Sequence, residues 1–234
     1  MRTLLEEFEK YIKITHEDNK NLNLKNILTL INATNMQNDP TAIRKLNKNG
    51  DNSIEVTNSI LKNLNIDNIN ITALKFIFHE LIANIYDHSE FENAIVIGRN
   101  NGESFDFIFI DDGISIPCSL TNNNYIFETD SKSVMQAING LSTKNVIGFI
   151  ERGTGLNNTI NITINGAEGA VLILSRHALL HITKNNLLKK DLKDINMNGT
   201  LIGIRMKINE KIDIYNYLNK EEYNWYYERN YNYS

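Results

Sequence analysis

Cysteine occurs once in the 234 residues, at Cys118, so no intrachain disulfide can form and the chain fits a reducing compartment. Positive charge is short as well: 24 Lys and Arg against 28 Asp and Glu leave a net charge of −4 and a pI near 5.8. Such a chain has no broad basic field to hold phosphate backbones, and a nucleic-acid role is disfavoured. No apolar run approaches the ~20 residues that span a bilayer. The start, M-R-T-L-L-E-E-F-E-K, sets acids among its apolar residues, unlike a secretion signal. These absences predict a cytoplasmic protein with no membrane partner, in which the sequons at Asn70, Asn161 and Asn198 have no meaning for glycosylation. Internal repeats are also missing. What remains is a chain of 41% apolar content, lean but globular, and long enough for one sizeable domain with extensions.

Along the chain, Leu4, Leu5, Phe8, Tyr11 and Ile12 recur at helical spacing, and a second apolar patch covers Leu22 to Ile31. Residues 1–66 thus read as an N-terminal extension of short elements whose purpose the sequence does not express. From Asn70, placed to cap, a long helix is expected to run to about Ser89. Ala94–Ile97 and Phe105–Ile110 are rich in strand formers and separated by N-N-G, a hairpin signal. A polar, irregular segment follows from Pro117 to about Asp130, then a short helix around Val134, Met135 and Ile138, then a glycine cluster and a further helix. Strands are expected at about Ala170–Leu174, Leu179–Thr183 and Thr200–Ile208. This order predicts a two-layer α/β sandwich, with a mixed, largely antiparallel sheet and helices on one face, over residues 67–210. Residues 211–234 form a tyrosine-rich tail that packs peripherally or frays.

Three blocks carry chemistry. The first, H-E-L-I-A-N-I-Y-D-H-S at 79–89, sets Glu80, Asn84, Asp87 and His88 along one stripe of a helix whose other positions are apolar. A carboxylate, an amide and an imidazole are costly to bury unless something polar lies against them. The second, D-D-G-I-S-I at 111–116, begins where the second hairpin strand ends. The third, G-F-I-E-R-G-T-G-L at 148–156, opens a helix; its glycines expose successive N–H groups, and a helix start adds positive potential, a setting suited to phosphate.

In order, spacing and expected context, these blocks resemble the GHKL ATP-binding domain of gyrase B, heat-shock chaperones, sensor histidine kinases, MutL and the anti-sigma serine kinases. The resemblance spans roughly residues 66–210 and implies ATP and magnesium as cofactors. The family's E-x-x-x-N falls on Glu80 and Asn84: Asn84 would give magnesium an oxygen ligand, and Glu80 would orient or deprotonate the attacking nucleophile. Sensor histidine kinases usually carry Asn where Glu80 stands, so the chain looks closer to the hydrolysing and serine-kinase branches. Asp87 and His88 either edge the phosphate site or belong to a solvated helix face. In the second block, Asp111 stands where the family carboxylate accepts a hydrogen bond from the adenine amino group, and Gly113 lets backbone approach the base. Ser115 replaces the family's second glycine, and Asp112 is expected to face solvent. The third block implies phosphate contacts from Arg152, Gly153, Thr154, Gly155 and Leu156. The preceding G-L-S-T-K resembles the lid of MutL-like relatives, which makes Lys144, with Arg152, either a phosphate-neutralising charge or a surface one. Thr200 matches the threonine that joins the aspartate around adenine through water.

Other motifs are weaker. His79-Glu80 begins H-E-x-x-H, but the fifth residue is Ala83, so that zinc site fails. His177 and His181 are four apart in what reads as strand, where they need not converge on a metal. His16-Glu17 lacks the long helix pair that a phosphoacceptor histidine requires, and Cys118 beside Pro117 reads as a small apolar residue. The expectation is therefore magnesium-dependent ATP binding with hydrolysis, in which lid closure controls a protein partner. Two alternatives stay open: a serine/threonine kinase of anti-sigma type, in which Glu80 activates a hydroxyl, and a nucleotide-gated interaction module without turnover.

Overall fold

The computed structural model describes residues 21–22, 41–66, 70–141, 154–207 and 211–218. Its strands are β1 (Asn21–Leu22), β2 (Thr41–Lys45), β3 (Ala94–Asn100), β4 (Ser104–Asp111), β5 (Ala170–Arg176), β6 (Ala178–Thr183), β7 (Asn186–Asp191) and β8 (Asn196–Lys207). Five α-helices are described: α1 (Ser53–Asn63), α2 (Ile71–His88), α3 (Ile116–Asn122), α4 (Asp130–Ile138) and α5 (Gly155–Asn161), the last running into a π-helical turn, Ile162–Gly166. The sheet runs β2-β3-β4-β8-β5-β6-β7 and every pair along it is antiparallel. β1 adds a parallel pair, Asn21 and Leu22 opposite Asn196 and Met197 of β8. The chain is thus α+β, with the mixed, largely antiparallel sheet expected. Among the described residues no helix is long and apolar enough to cross a membrane.

Strand alternation divides the sheet into two faces. Phe105, Phe107 and Phe109 of β4 point to the side where α1, α2, α4 and α5 contribute to one continuous core. There Phe78 of α2 meets Phe107 and Phe109 edge-on, with ring centroids 5.0 and 4.9 Å away, the arrangement that ring quadrupoles favour. Burying side chains of this size stabilises by about 1.5–3 kcal/mol each, which is why α2 forms although its first turn lacks an acid and a side-chain cap. The opposite face carries a second cluster, including Ile95, Ile97, Ile110, Leu172, Leu174 and Leu201, to which none of the five helices contributes. On that face Asp106 accepts hydrogen bonds from Arg99 Nη2 at 2.6 Å and from Arg205 Nε and Nη2 at 2.6 and 2.8 Å, bracing β3, β4 and β8.

Several elements depart from the sequence expectation. β2 pairs with β3, and Ala42, Val56, Ile60 and Leu64 enter the main core, so residues 41–66 are built into the same sheet and core as the domain that follows. Ile212, Ile214 and Leu218 enter that core too. Asn70 stands at the N-cap position of α2, yet its side chain makes no capping bond; it accepts from the Ile212 backbone N–H at 2.9 Å and ties the C-terminal segment down. The stretch expected to be irregular from Pro117 to about Asp130 is helical as far as Asn122 and irregular from 123 to 129. Ser115 caps α3 by accepting from the Cys118 N–H, and Pro117, with its fixed φ, suits the first helical turn. β7 escaped notice because its sequence, N-L-L-K-K-D, is an exposed edge strand without apolar alternation. The amphipathic stretch at Leu4–Ile12, His16, Glu17, the lid segment with Lys144, and Arg152 and Gly153 lie outside the described residues.

Candidate functional site

The register places five small or polar residues side by side at one end of the helix-covered face. Ala94 of β3 is opposite Asp111 of β4, Asp111 opposite Thr200 of β8, Thr200 opposite Ser175 of β5, and Ser175 opposite Ala178 of β6. Two residues further in, the corresponding row is Val96, Phe109, Ile202, Ile173 and Leu180, all apolar and larger. The side chains therefore step down in size at this end of the sheet, a shelf of small groups that includes a carboxyl.

Asp111 is only 3% exposed. Its Oδ1 accepts from the Gly113 N–H at 3.0 Å. Burial pushes the carboxyl up to about 7; the neighbouring Asp112 adds to the rise, while hydrogen bonds from the Gly113 and Thr200 backbone N–H groups and the Ser89 hydroxyl pull the other way. No cation pairs with it among the described residues. An acid in this position is poised to accept a hydrogen bond from a ligand donor, since its desolvation is already in place.

Local structure holds the acid there. β4 ends on Asp111, and the D-D-G turn folds back over the end of α2, where Ile114 N–H donates to Ser89 O at 2.5 Å. A Cβ on Gly113 would lie 1.9 Å from Ser89 O, so only glycine permits this approach. Asp112 is not merely a solvent-facing charge. Its carboxylate accepts from the N–H groups of Glu92 and Asn93 and from the Asn93 side chain, at 2.9, 2.8 and 2.9 Å, clamping the turn that enters β3.

Two participants were not singled out in the sequence. Ser89, 4% exposed, ends α2 beside Asp111, and its single hydroxyl hydrogen has two acceptors within reach, the Asp111 carboxyl and Ile85 O at 2.8 Å. Ser175 is fully buried; it accepts from the Ile116 N–H at 2.9 Å and sits 2.9 Å from Thr200 Oγ1. The signal for Ser175 was present in V-L-I-L-S: a hydroxyl at the same parity as Val171 and Ile173, where an inward apolar residue is expected.

Further up α2 lies a second acid. Glu80 is half-buried, and Gly155, the first residue of α5, packs directly on its carboxylate: a Cβ there would lie 2.0 Å from Oε2. Asn84 follows one turn later, also half-buried. Glu80 and Ser89 are nine residues apart, roughly 13 Å by helical rise, so a ligand touching both ends of the site must be elongated. Asp87 is exposed in the last turn of α2 and His88 half-buried beside it. Thr154 occupies the N-cap position of α5 without a side-chain capping bond, and Leu156 packs into the main core rather than into an open site.

Among the described residues no group of three or more His, Cys, Asp or Glu could hold a metal ion. His181 is buried in β6, whereas His177, just before that strand, places Nδ1 2.8 Å from Ile195 O. A single amide oxygen, from Asn84, fits an ion that takes most of its shell from phosphate and water rather than from a protein cage. The chain matches no protein-family model and no curated protein.

Proposed function

We propose that the chain is a magnesium-dependent ATP-binding protein of the GHKL type, in which hydrolysis of ATP serves to control a protein partner. The observation that carries this reading is Asp111: a buried carboxyl group that no cation pairs with among the described residues, held by Gly113 and flanked by Thr200 on a shelf of small side chains. A flat heterocycle fits a shelf bounded by β-strand backbone, and an exocyclic amino group is the donor that such an acid lacks. The roughly 13 Å of helical rise between Glu80 and Ser89, which ends α2 beside Asp111, suits a ligand with its base at one end and its phosphates at the other.

In this reading Asp111 accepts from the adenine amino group, with Gly113 and Thr200 beside it. Asn84 holds magnesium through its side-chain oxygen, and magnesium, when bound, neutralises and orients the phosphate oxygens. Glu80 takes the proton of the attacking water, or orients it, from hydrogen-bond distance. Close packing of Gly155 on the Glu80 carboxylate restricts where that carboxylate can lie, a requirement for a positioned base. Thr154, Gly155, Arg152, Gly153 and Lys144 are the groups offered to the outer phosphates, and His88 and Asp87 edge the same end.

Calorimetric titration of the full chain with ATP, in magnesium and in EDTA, tests the reading. Saturable binding that Asp111→Asn abolishes and EDTA weakens is expected. Equal affinity of the variant and the parent would place the base elsewhere, and absence of any adenine-nucleotide binding would end the proposal. Phosphate release or transfer to a protein hydroxyl, followed with labelled ATP, separates hydrolysis from kinase activity; binding without either leaves the interaction module.

A further inference from the structure

The row Asp111, Thr200, Ser175 contains more directional information than an acid beside a hydroxyl. Ser175 has one hydrogen and two lone pairs. The Ile116 N–H, at 2.9 Å, takes one lone pair. The hydroxyl hydrogen then has two acceptors within reach, Thr200 Oγ1 at 2.9 Å and Gly199 O at 3.3 Å, and the shorter contact is to Thr200. When Ser175 donates to Thr200, the Thr200 hydrogen is free to point away from Ser175. Thr200 Oγ1 has no other hydrogen-bond partner among the described residues. Its register neighbour on that other side is Asp111.

We propose that Ser175 is a positioning residue: anchored by the Ile116 N–H, it turns the Thr200 hydroxyl into a donor beside the Asp111 acceptor, so that the site selects an adenine edge against a guanine-type edge. This inference rests on the ATP-binding reading above. Adenine presents a donor, its amino group, next to an acceptor, its ring nitrogen N1; guanine and hypoxanthine present an acceptor, the carbonyl oxygen, next to a donor, N1–H. An acceptor from Asp111 and a donor from Thr200, directly or through one water, match the first order and oppose the second. The fixed element is the backbone N–H of Ile116 at the start of α3, which cannot reverse its polarity as a hydroxyl can. That bond occupies one lone pair of Ser175, and the shorter contact to Thr200, 2.9 Å against 3.3 Å to Gly199 O, sets where the hydrogen of Ser175 goes. The same chain of bonds joins the base of α3 to the shelf, so the departure at Ser115, which starts α3 there, places the Ile116 N–H against Ser175.

The test compares ATP with inosine triphosphate, which differs from it at the base edge alone, by calorimetry in magnesium with the full chain. The parent should prefer ATP. In Ser175→Ala the Thr200 hydroxyl is released to turn either way, and the ATP-to-inosine triphosphate affinity ratio should narrow by about fivefold, the worth of one net hydrogen bond. Ser175→Thr, which keeps the hydroxyl, should retain the parental ratio. A purely structural serine would weaken both nucleotides equally, so an unchanged ratio in Ser175→Ala overturns the proposal, as does a ratio equally narrowed in Ser175→Thr. If Ser175→Ala does not fold, judged by its thermal transition, Ser175→Cys is read instead, since its thiol is a poor donor of nearly the same shape; an unchanged ratio there is equally fatal. A parent that binds ATP and inosine triphosphate alike removes this inference and leaves the ATP reading standing, whereas a parent that binds neither removes both.

Discussion

The buried carboxyl of Asp111 makes stability and nucleotide binding depend on pH in opposite senses. Its ordinary value is 3.8 and its value in the folded chain about 7, so between those limits the folded state holds a proton that the unfolded state has lost. Stability contributed by this group is therefore fully present below pH 4 and is lost as pH rises through 7. The displacement corresponds to roughly 4 kcal/mol at most. Asp111→Asn keeps an oxygen that can accept from the Gly113 N–H and cannot ionise, but it turns an N–H₂ toward the donors at Thr200 and Ser89, which takes back about 1–3 kcal/mol. The ligand-free variant should thus gain on the order of 1–3 kcal/mol over the parent at pH 8, or about 2–10 °C in melting temperature for a chain of this size, and should fall up to about 2 kcal/mol below it at pH 4.5. Thermal unfolding of both proteins from pH 4.5 to 8.5 reads it. A difference that stays constant with pH, or a parent more stable than the variant at pH 8, would refute the reasoning. The ionised carboxylate is the stronger acceptor, so adenosine affinity should fall as pH drops below 7, with uptake of the base releasing a proton. Adenosine is the suitable probe because phosphate protonation does not enter.

Glu80→Ala should bind ATP within a few fold of the parent and turn it over about 10²–10⁴ times more slowly, the usual contribution of a positioned base, while Asn84→Ala loses the magnesium-dependent part of the affinity. Parental turnover in Glu80→Ala would show that the base lies elsewhere. Gly155→Ala places a Cβ where the Glu80 carboxylate now sits, and the carboxylate, as the end of a flexible side chain, moves aside; turnover should drop without loss of melting temperature, and an unchanged rate would mean that the packing seen here does not position the acid. Asp106→Ala removes the acceptor of three charge-assisted hydrogen bonds from Arg99 and Arg205 and should cost about 3 kcal/mol in urea unfolding with ATP affinity unchanged; a loss under 1 kcal/mol would deny the triad its bracing role.

The residues by themselves determined the long helix α2, the hairpin of β3 and β4, the short helix α4 and strands β5, β6 and most of β8: the helices bury one face and so write a period of 3.6 into the chain, and the central strands, covered by apolar clusters on both faces, read as near-continuous runs of strand formers. The resemblance, rather than periodicity, singled out Glu80, Asn84 and Asp111, which lie in compact local patterns. Elements with little buried surface escaped the sequence reading: β7 is an exposed edge, and α3 starts from a cap and a proline rather than from an apolar stripe. Tertiary structure alone decided what is near what. Ser175 is 64 residues from Asp111 in the chain and becomes part of its row only when β8 inserts between β4 and β5, a pairing that depends on contacts far apart in sequence. The same pairing buries Asp111 and thereby shifts its proton affinity, which no local pattern encodes. Asn70 shows the reverse case: a residue that local chemistry assigns to a helix cap is claimed by the Ile212 N–H, since a buried backbone donor without a partner costs more than an unmade cap.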